Sequence, residues 1–182
     1  MQATSVFATI ANNGVRVSPS VIAGTRDSSG SFSPTKTQTS QRVISEDTAV
    51  KMRLMMENVV SAQGTAPSAA IPGYRVAGKT GTAMRYDQNT GRYSGYTASF
   101  IGFAPADAPK YVISVTLQDP RNGHYGGALG GPVFKKVMSF VLQSKHIAPT
   151  NTVMQPVALN QEELSKMEVT AVSNEKSGTV RR

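Results

Sequence analysis

Lys79, Thr80, Gly81 and Thr82 place an ammonium, two hydroxyls and a position without a side chain in four consecutive residues, between Ala77-Gly78 and Ala83. If residues 77 to 83 are extended, side chains alternate, so Lys79 and Gly81 share one face while Thr80 and Thr82 share the other. Gly81 clears a site where a ligand backbone could approach. A lysine charge, hydroxyl donors and free backbone N–H groups on one strand edge can hold a carboxylate and a developing oxyanion.

The same stretch completes a rival pattern: Gly73-Tyr74-Arg75-Val76-Ala77-Gly78-Lys79-Thr80 matches G-x-x-x-x-G-K-[ST], the phosphate-cradling loop. That loop needs a helix starting at the lysine. Here Tyr74, Arg75 and Val76 suit a strand, and Thr82 is followed by the turn cluster Asp87-Gln88-Asn89-Thr90-Gly91 and an aromatic, β-branched run from Tyr93 to Phe103. This is hairpin chemistry, so a nucleotide-binding reading is set aside.

The elements that must position these residues follow from periodicity. Ala3, Val6, Phe7, Ile10 and Ala11 predict a helix over 2 to 13, stopped by Asn12-Asn13-Gly14. Val15–Val17 and Val21–Ala23 suggest short strands, and 25 to 41 a Ser/Thr-rich loop. Ser45 followed by Glu46 and Asp47 caps a second helix whose stripe is Val50, Met52, Met55, Met56, Val59 and Val60. Strands are expected at 74 to 84, 94 to 104 and 110 to 118, joined by short turns into an antiparallel meander. After a glycine-rich stretch and Pro132, the stripe Val133, Phe134, Val137, Met138, Val141 and Leu142 predicts a helix lying across that sheet. The fold class is therefore α+β, an antiparallel sheet with the K-T-G strand at its edge, packed by helices.

At 182 residues the chain is long enough to bury a real core. No cysteine and two separated histidines exclude a disulfide framework and a Cys/His metal site, and no carboxylate cluster replaces them, so neither metal nor cofactor is expected. No apolar run approaches a membrane span, and no charged-then-apolar leader begins the chain. The net charge of +8 lies in the body, because Lys166, Lys176, Arg181 and Arg182 balance Glu162, Glu163, Glu168 and Glu175 after Thr150. A basic body favours anionic partners such as nucleic acid, acidic lipid or wall polymers, or serves only as a solubilising surface charge. The cations are scattered, without a basic run or interleaved aromatics, so no nucleic-acid partner is expected.

Taken together, the motifs resemble the C-terminal part of the transpeptidase domain of class B penicillin-binding proteins of the division or elongation type. The resemblance spans residues 1 to 149 and leaves 150 to 182 as a polar, mobile tail with one short helix at Gln161 to Met167. Its blocks are Ser5 to Val15 (SVFATIANNGV), Gly64-Thr65-Ala66, Ile71 to Ala83 (IPGYRVAGKTGTA), Ser99 to Pro105 (SFIGFAP) and Tyr125-Gly126-Gly127 followed by Pro132-Val133-Phe134. The resemblance implies serine acyl transfer: attack on a stem peptide ending in D-alanyl-D-alanine, release of the last alanine, and cross-linking to a neighbouring strand, with β-lactams trapping the acyl-enzyme. It assigns Lys79 to the third motif as a catalytic lysine, makes Thr80, Gly81 and Thr82 substrate-binding, with Thr80 and Thr82 holding the substrate or drug carboxylate, and makes the Thr82 N–H an oxyanion donor. It also places the parent at the extracytoplasmic face of the membrane, anchored by a segment absent here, with division or elongation proteins as partners.

The resemblance is incomplete. The family's S-x-x-K and S-x-N motifs precede the first helix. Here the only S-x-x-K matches are Ser33–Lys36, in a loop, and Ser173–Lys176, in the tail, and neither offers a buried helix start for a nucleophile and its base. The chain is expected to be a fragment, inert alone, needing the remainder of the domain, with an unpaired edge on the 110-to-118 strand and exposed apolar helix faces. A non-catalytic module holding wall peptide or a division partner is the alternative.

Overall fold

A computed structural model of the chain describes residues 1–16, 18–35 and 40–150. Along the sequence run helix α1 (Gln2–Ala11), strands β1 (Val15–Arg16), β2 (Gly24–Arg26), β3 (Phe32–Pro34) and β4 (Gln41–Arg42), and helix α2 (Glu46–Asn58). A 3-10 turn at Pro67–Ala69 leads to β5 (Ala77–Asp87), β6 (Arg92–Ala104), β7 (Tyr111–Gln118) and helix α3 (Gly126–Ser144).

The long strands form the expected meander, an antiparallel sheet in the order β5-β6-β7. Its register pairs Ala77 with Phe103, Lys79 with Ile101 and Thr80 with Phe100, and then Phe103 with Val112 and Phe100 with Val115. Because side chains alternate, these pairs sort onto opposite faces. Ala77, Phe103 and Val112 meet Ile10, Ala11 and Met56 of α1 and α2. On the other face Phe100 and Val115 meet Phe134, Met138 and Leu142 of α3. The Phe100 and Phe134 rings pack edge to face at 4.9 Å. Phe100, Phe103, Phe134, Met138 and Leu142 are fully buried, each contributing about 1.5–3 kcal/mol by leaving water. The sheet that carries Lys79 is thus held from both sides.

Local signals explain α2. The Ser45 hydroxyl accepts from Thr48 N at 3.1 Å, with Glu46 and Asp47 in the first turn. At its far end Glu57 is buried and accepts two hydrogen bonds from Arg75, at 2.7 and 2.9 Å. Burial of that pair ties the end of α2 to the chain entering β5.

Three local expectations shift. The K-T-G strand runs Ala77–Asp87, not 74 to 84. Tyr74 closes a turn instead, its N–H donating to Ile71 O and its hydroxyl to Ile147 O at 2.6 Å, while Arg75 is drawn to Glu57. The early hairpin is β2 with β3, inside the segment expected to be a loop, and Val21–Ala23 is not a strand. Its turn is fixed by Asp27, whose Oδ1 accepts from Ser29 N and Ser31 N; strands three residues long show too little alternation to be seen in sequence. Finally, α3 begins at Gly126, so the glycines are helical and Pro132 lies inside the helix.

Among the described residues β7 pairs only with β6, which leaves its other edge open. Val133, Val137 and Phe140 leave an exposed apolar stripe on α3. The tail beyond Thr150, with the Gln161–Met167 helix and Ser173–Lys176, lies outside the described residues.

Candidate active-site edge

Which backbone groups of β5 face outward follows from one hydrogen bond. Asp119 N donates to Tyr96 O across β6 and β7 at 2.8 Å, so in β6 the backbone groups of Tyr96, Ala98, Phe100 and Gly102 face β7. In an antiparallel ladder the residues between them face the other neighbour. Ser99 and Ile101 therefore bond to their partners Gly81 and Lys79. Among the described residues β5 pairs only with β6, so the N–H and C=O groups of Gly78, Thr80, Thr82 and Met84 are left on its free flank. Nothing in this run wraps into a loop or starts a helix, which removes the phosphate-loop reading.

Side chains complete the edge. Lys79 is exposed, and its Nζ donates toward Thr80 O at 3.1 Å and Thr80 Oγ1 at 3.3 Å. The ammonium thus folds over the open flank. Thr80 and Thr82 occupy the α3 face, as alternation required: Thr80 Oγ1 lies 3.3 Å from Thr65 Oγ1, and Gly126 N donates to Thr82 Oγ1 at 3.2 Å. Three hydroxyls, an ammonium and outward amides converge within one strand length, an arrangement suited to a carboxylate beside a carbonyl oxygen gaining charge.

Gly81 has a different neighbour from the one expected. A Cβ there would lie 2.5 Å from Ser99 Oγ on the adjacent strand, so the glycine makes room for a side chain of β6 on the Lys79 face. Closer still is the seat of α3. A Cβ on Gly126 would stand 2.1 Å from Ser99 O and 2.4 Å from Gly81 O, and one on Gly127 2.1 Å from Thr65 O. The bare helix start is what lets α3 touch the K-T-G strand and bring the Gly126 N–H to Thr82. The sequence signals of these contacts are modest: a hydroxyl next to a glycine in Gly64-Thr65-Ala66, and paired glycines ahead of an apolar stripe in Tyr125-Gly126-Gly127.

Ser33 lies elsewhere, exposed on β3 in the small hairpin and paired with Thr25; Lys36 is outside the described residues. The structure does not bring Ser33 to Lys79 through any shared sheet.

An edge strand carrying K-T-G, backed by a glycine-seated helix on one face and two helices on the other, defines a penicillin-binding transpeptidase fold. The chain belongs to the penicillin-binding protein transpeptidase domain family, in the class B branch, the family model matching residues 1–139. Among its relatives is penicillin-binding protein PbpB of Mycolicibacterium smegmatis, 37% identical over 157 residues, which cover 81% of this chain and 24% of the relative. The peptidoglycan D,D-transpeptidase FtsI of Escherichia coli is 41% identical over 111 residues, 60% of this chain and 19% of that protein. Penicillin-binding protein 3 of Mycobacterium tuberculosis, solved in complex with ampicillin, superposes with a TM-score of 0.78 at 34% identity, over 87% of this chain and 37% of that one. The chain therefore spans about a quarter of the length of PbpB.

Proposed function

We propose that this chain is the K-T-G side of the cleft of a serine D,D-transpeptidase that cross-links peptidoglycan stem peptides and is acylated by β-lactams. The observation that carries the reading is the open flank of β5, where the backbone groups of Thr80 and Thr82 face outward beside the Lys79 ammonium. A stem peptide ending in D-alanyl-D-alanine adds as a further strand, antiparallel to β5. Its terminal carboxylate takes hydrogen bonds from Thr80 and Thr82 and the field of Lys79. The carbonyl of the penultimate alanine directs its oxygen at Thr82 N–H, which stabilises the charge that forms on attack. The attacking serine and its lysine base come from the remainder of the transpeptidase domain, which this chain needs as a partner. In the intact enzyme the serine oxygen forms an ester as the last alanine leaves with a proton, and an amine of a neighbouring strand then displaces the serine. That enzyme works at the extracytoplasmic face of the bacterial membrane, in a division or elongation complex.

The test pairs a covalent and a reversible probe. Fluorescent penicillin leaves the chain unlabelled, and labelling appears when the rest of a class B transpeptidase domain is added in trans. An acyl-D-alanyl-D-alanine peptide shifts the amide resonances of Thr80 and Thr82, and Thr80→Val with Thr82→Val weakens that binding about tenfold, the loss of charge-assisted hydrogen bonds. Labelling of the chain alone would refute the missing nucleophile; silence of both amides would refute the edge. Peptide binding with labelling never restored would favour a non-catalytic wall-peptide module.

A further inference from the structure

Beyond Tyr96, which accepts from Asp119 N at 2.8 Å, β6 has no β7 beside it, and β5 and β6 continue as a two-stranded arm. Its one irregularity falls between the pairs Met84–Tyr96 and Tyr86–Tyr93. One residue, Arg85, there faces two, Ser94 and Gly95, so the extra residue belongs to the inner strand, where Gly95 adopts φ +71°. The outer strand is uninterrupted from Ala77 to Asp87, so the flank that begins at Gly78 runs on to the tip. There Asp87 accepts from Asn89 N at 2.9 Å and Thr90 Oγ1 at 3.1 Å.

Near that tip, Tyr86 and Tyr93 pack edge to face at 5.6 Å, yet stay 59% and 65% exposed. Among the described residues neither joins a buried cluster. By alternation along β5, Tyr86 lies on the same face as Thr80 and Thr82.

Resting on the reading of the K-T-G edge given above, we propose that the Tyr86–Tyr93 pair is a subsite for the amino-sugar end of the donor strand. Direction comes first. With the carboxylate at Thr80 and the scissile carbonyl at Thr82, the rest of the donor is bonded on the far side of that carbonyl and must continue past Met84. Length comes second. Tyr86 lies four residue steps beyond Thr82 along β5, about 13 Å at a strand's rise. From the scissile carbonyl, the scissile alanine itself, about three further peptide residues and a lactyl ether lead to the sugar in a peptidoglycan donor, an extended reach of up to about 17 Å, enough to cover that span. The sugar ring thus arrives at the tyrosines. Its C–H face is apolar and its rim hydroxylated, which suits an aromatic surface with a polar handle.

The experiment compares reversible ligands on the full chain by amide titration: a short acyl-D-alanyl-D-alanine peptide, a pentapeptide stem, and the same stem on N-acetylmuramic acid. The sugar tightens binding about threefold to tenfold over the bare stem, the range of one aromatic contact. Tyr86→Thr with Tyr93→Thr, which keeps β-propensity, removes that gain and leaves the short peptide's Kd unchanged. The single variant Tyr93→Thr and unaltered resonances from Ala77 to Thr82 guard against a collapsed arm. A sugar that adds nothing, or a gain that survives the double variant, overturns the subsite while the edge reading stands. Failure of the short peptide to bind overturns both.

Discussion

Replacing Gly126 with alanine tests whether the bare start of α3 sets the K-T-G edge. The added Cβ would lie 2.1 Å from Ser99 O and 2.4 Å from Gly81 O. Ordinary carbon–oxygen contacts are about 3.3 Å, so the helix start must retreat by about 1 Å. Both atoms it meets are backbone in the middle of the sheet, which cannot rotate away. Overpacking of this kind costs about 1–3 kcal/mol, and the Gly126–Thr82 hydrogen bond lost with it adds about 1 kcal/mol. Alanine's better helix propensity returns up to about 1 kcal/mol, leaving a net loss of about 1–3 kcal/mol. For a chain of this size that lowers Tm by about 3–10 °C. Thermal unfolding by circular dichroism measures the loss, and the Thr82 amide and hydroxyl resonances report the retreat. A Tm within about 1 °C of the parent, with Thr82 unmoved, would refute the claim that the glycine seat positions the edge.

Two further predictions concern charge. Glu57→Gln leaves Arg75 buried without its anion, and breaking a buried pair costs about 3–5 kcal/mol; denaturant unfolding should show that loss, and Glu57→Leu with Arg75→Met should recover most of it. The Glu57 hydrogen bond and charge hold the Arg75 pKa above its ordinary value against the opposing effect of burial, so Arg75 keeps its charge as pH rises. At the hairpin tip, the amide of Asn89 and the hydroxyl of Thr90 hold Asp87 below its ordinary value of 3.8. A depressed carboxylate stabilises the turn above that value, and the effect is lost as pH falls through the folded pKa. The protection factors of the Asn89 and Gly91 amides, exchange relative to the unfolded-chain rate at each pH, should therefore stay constant from neutrality to about pH 5 and fall only in stronger acid; Asp87→Asn should abolish the dependence.

Much of this was legible in the residues. The meander followed from alternating runs separated by turn clusters, and α2 from Ser45 ahead of two acids, because these signals are local. The open flank of β5 was legible for the same reason: a lysine, threonines and glycine in an extended run have few other uses. What escaped depends on contacts distant in sequence. Tyr74 and Arg75 have β-propensity, yet Ile147 and Glu57 claim their side chains, so the strand starts later. The glycines from Gly126 to Gly131 look like a loop by propensity, and only their approach to Ser99, Thr65 and Phe100 makes them a helix. Thr65 could be placed beside Thr80 only once the turn at Pro67–Ala69 and α3 were known.

The inner-strand position of the irregularity at Ser94–Gly95 has a mechanical consequence. Extra length and twist are absorbed on the concealed side of the ribbon, so the outer side keeps an even spacing of amides, like graduations on a ruler. Changes at Gln88 to Gly91 can lengthen or retune the far tip without altering where the first graduations stand. Length can thus vary at the tip while the spacing from Gly78 to Thr82 stays fixed.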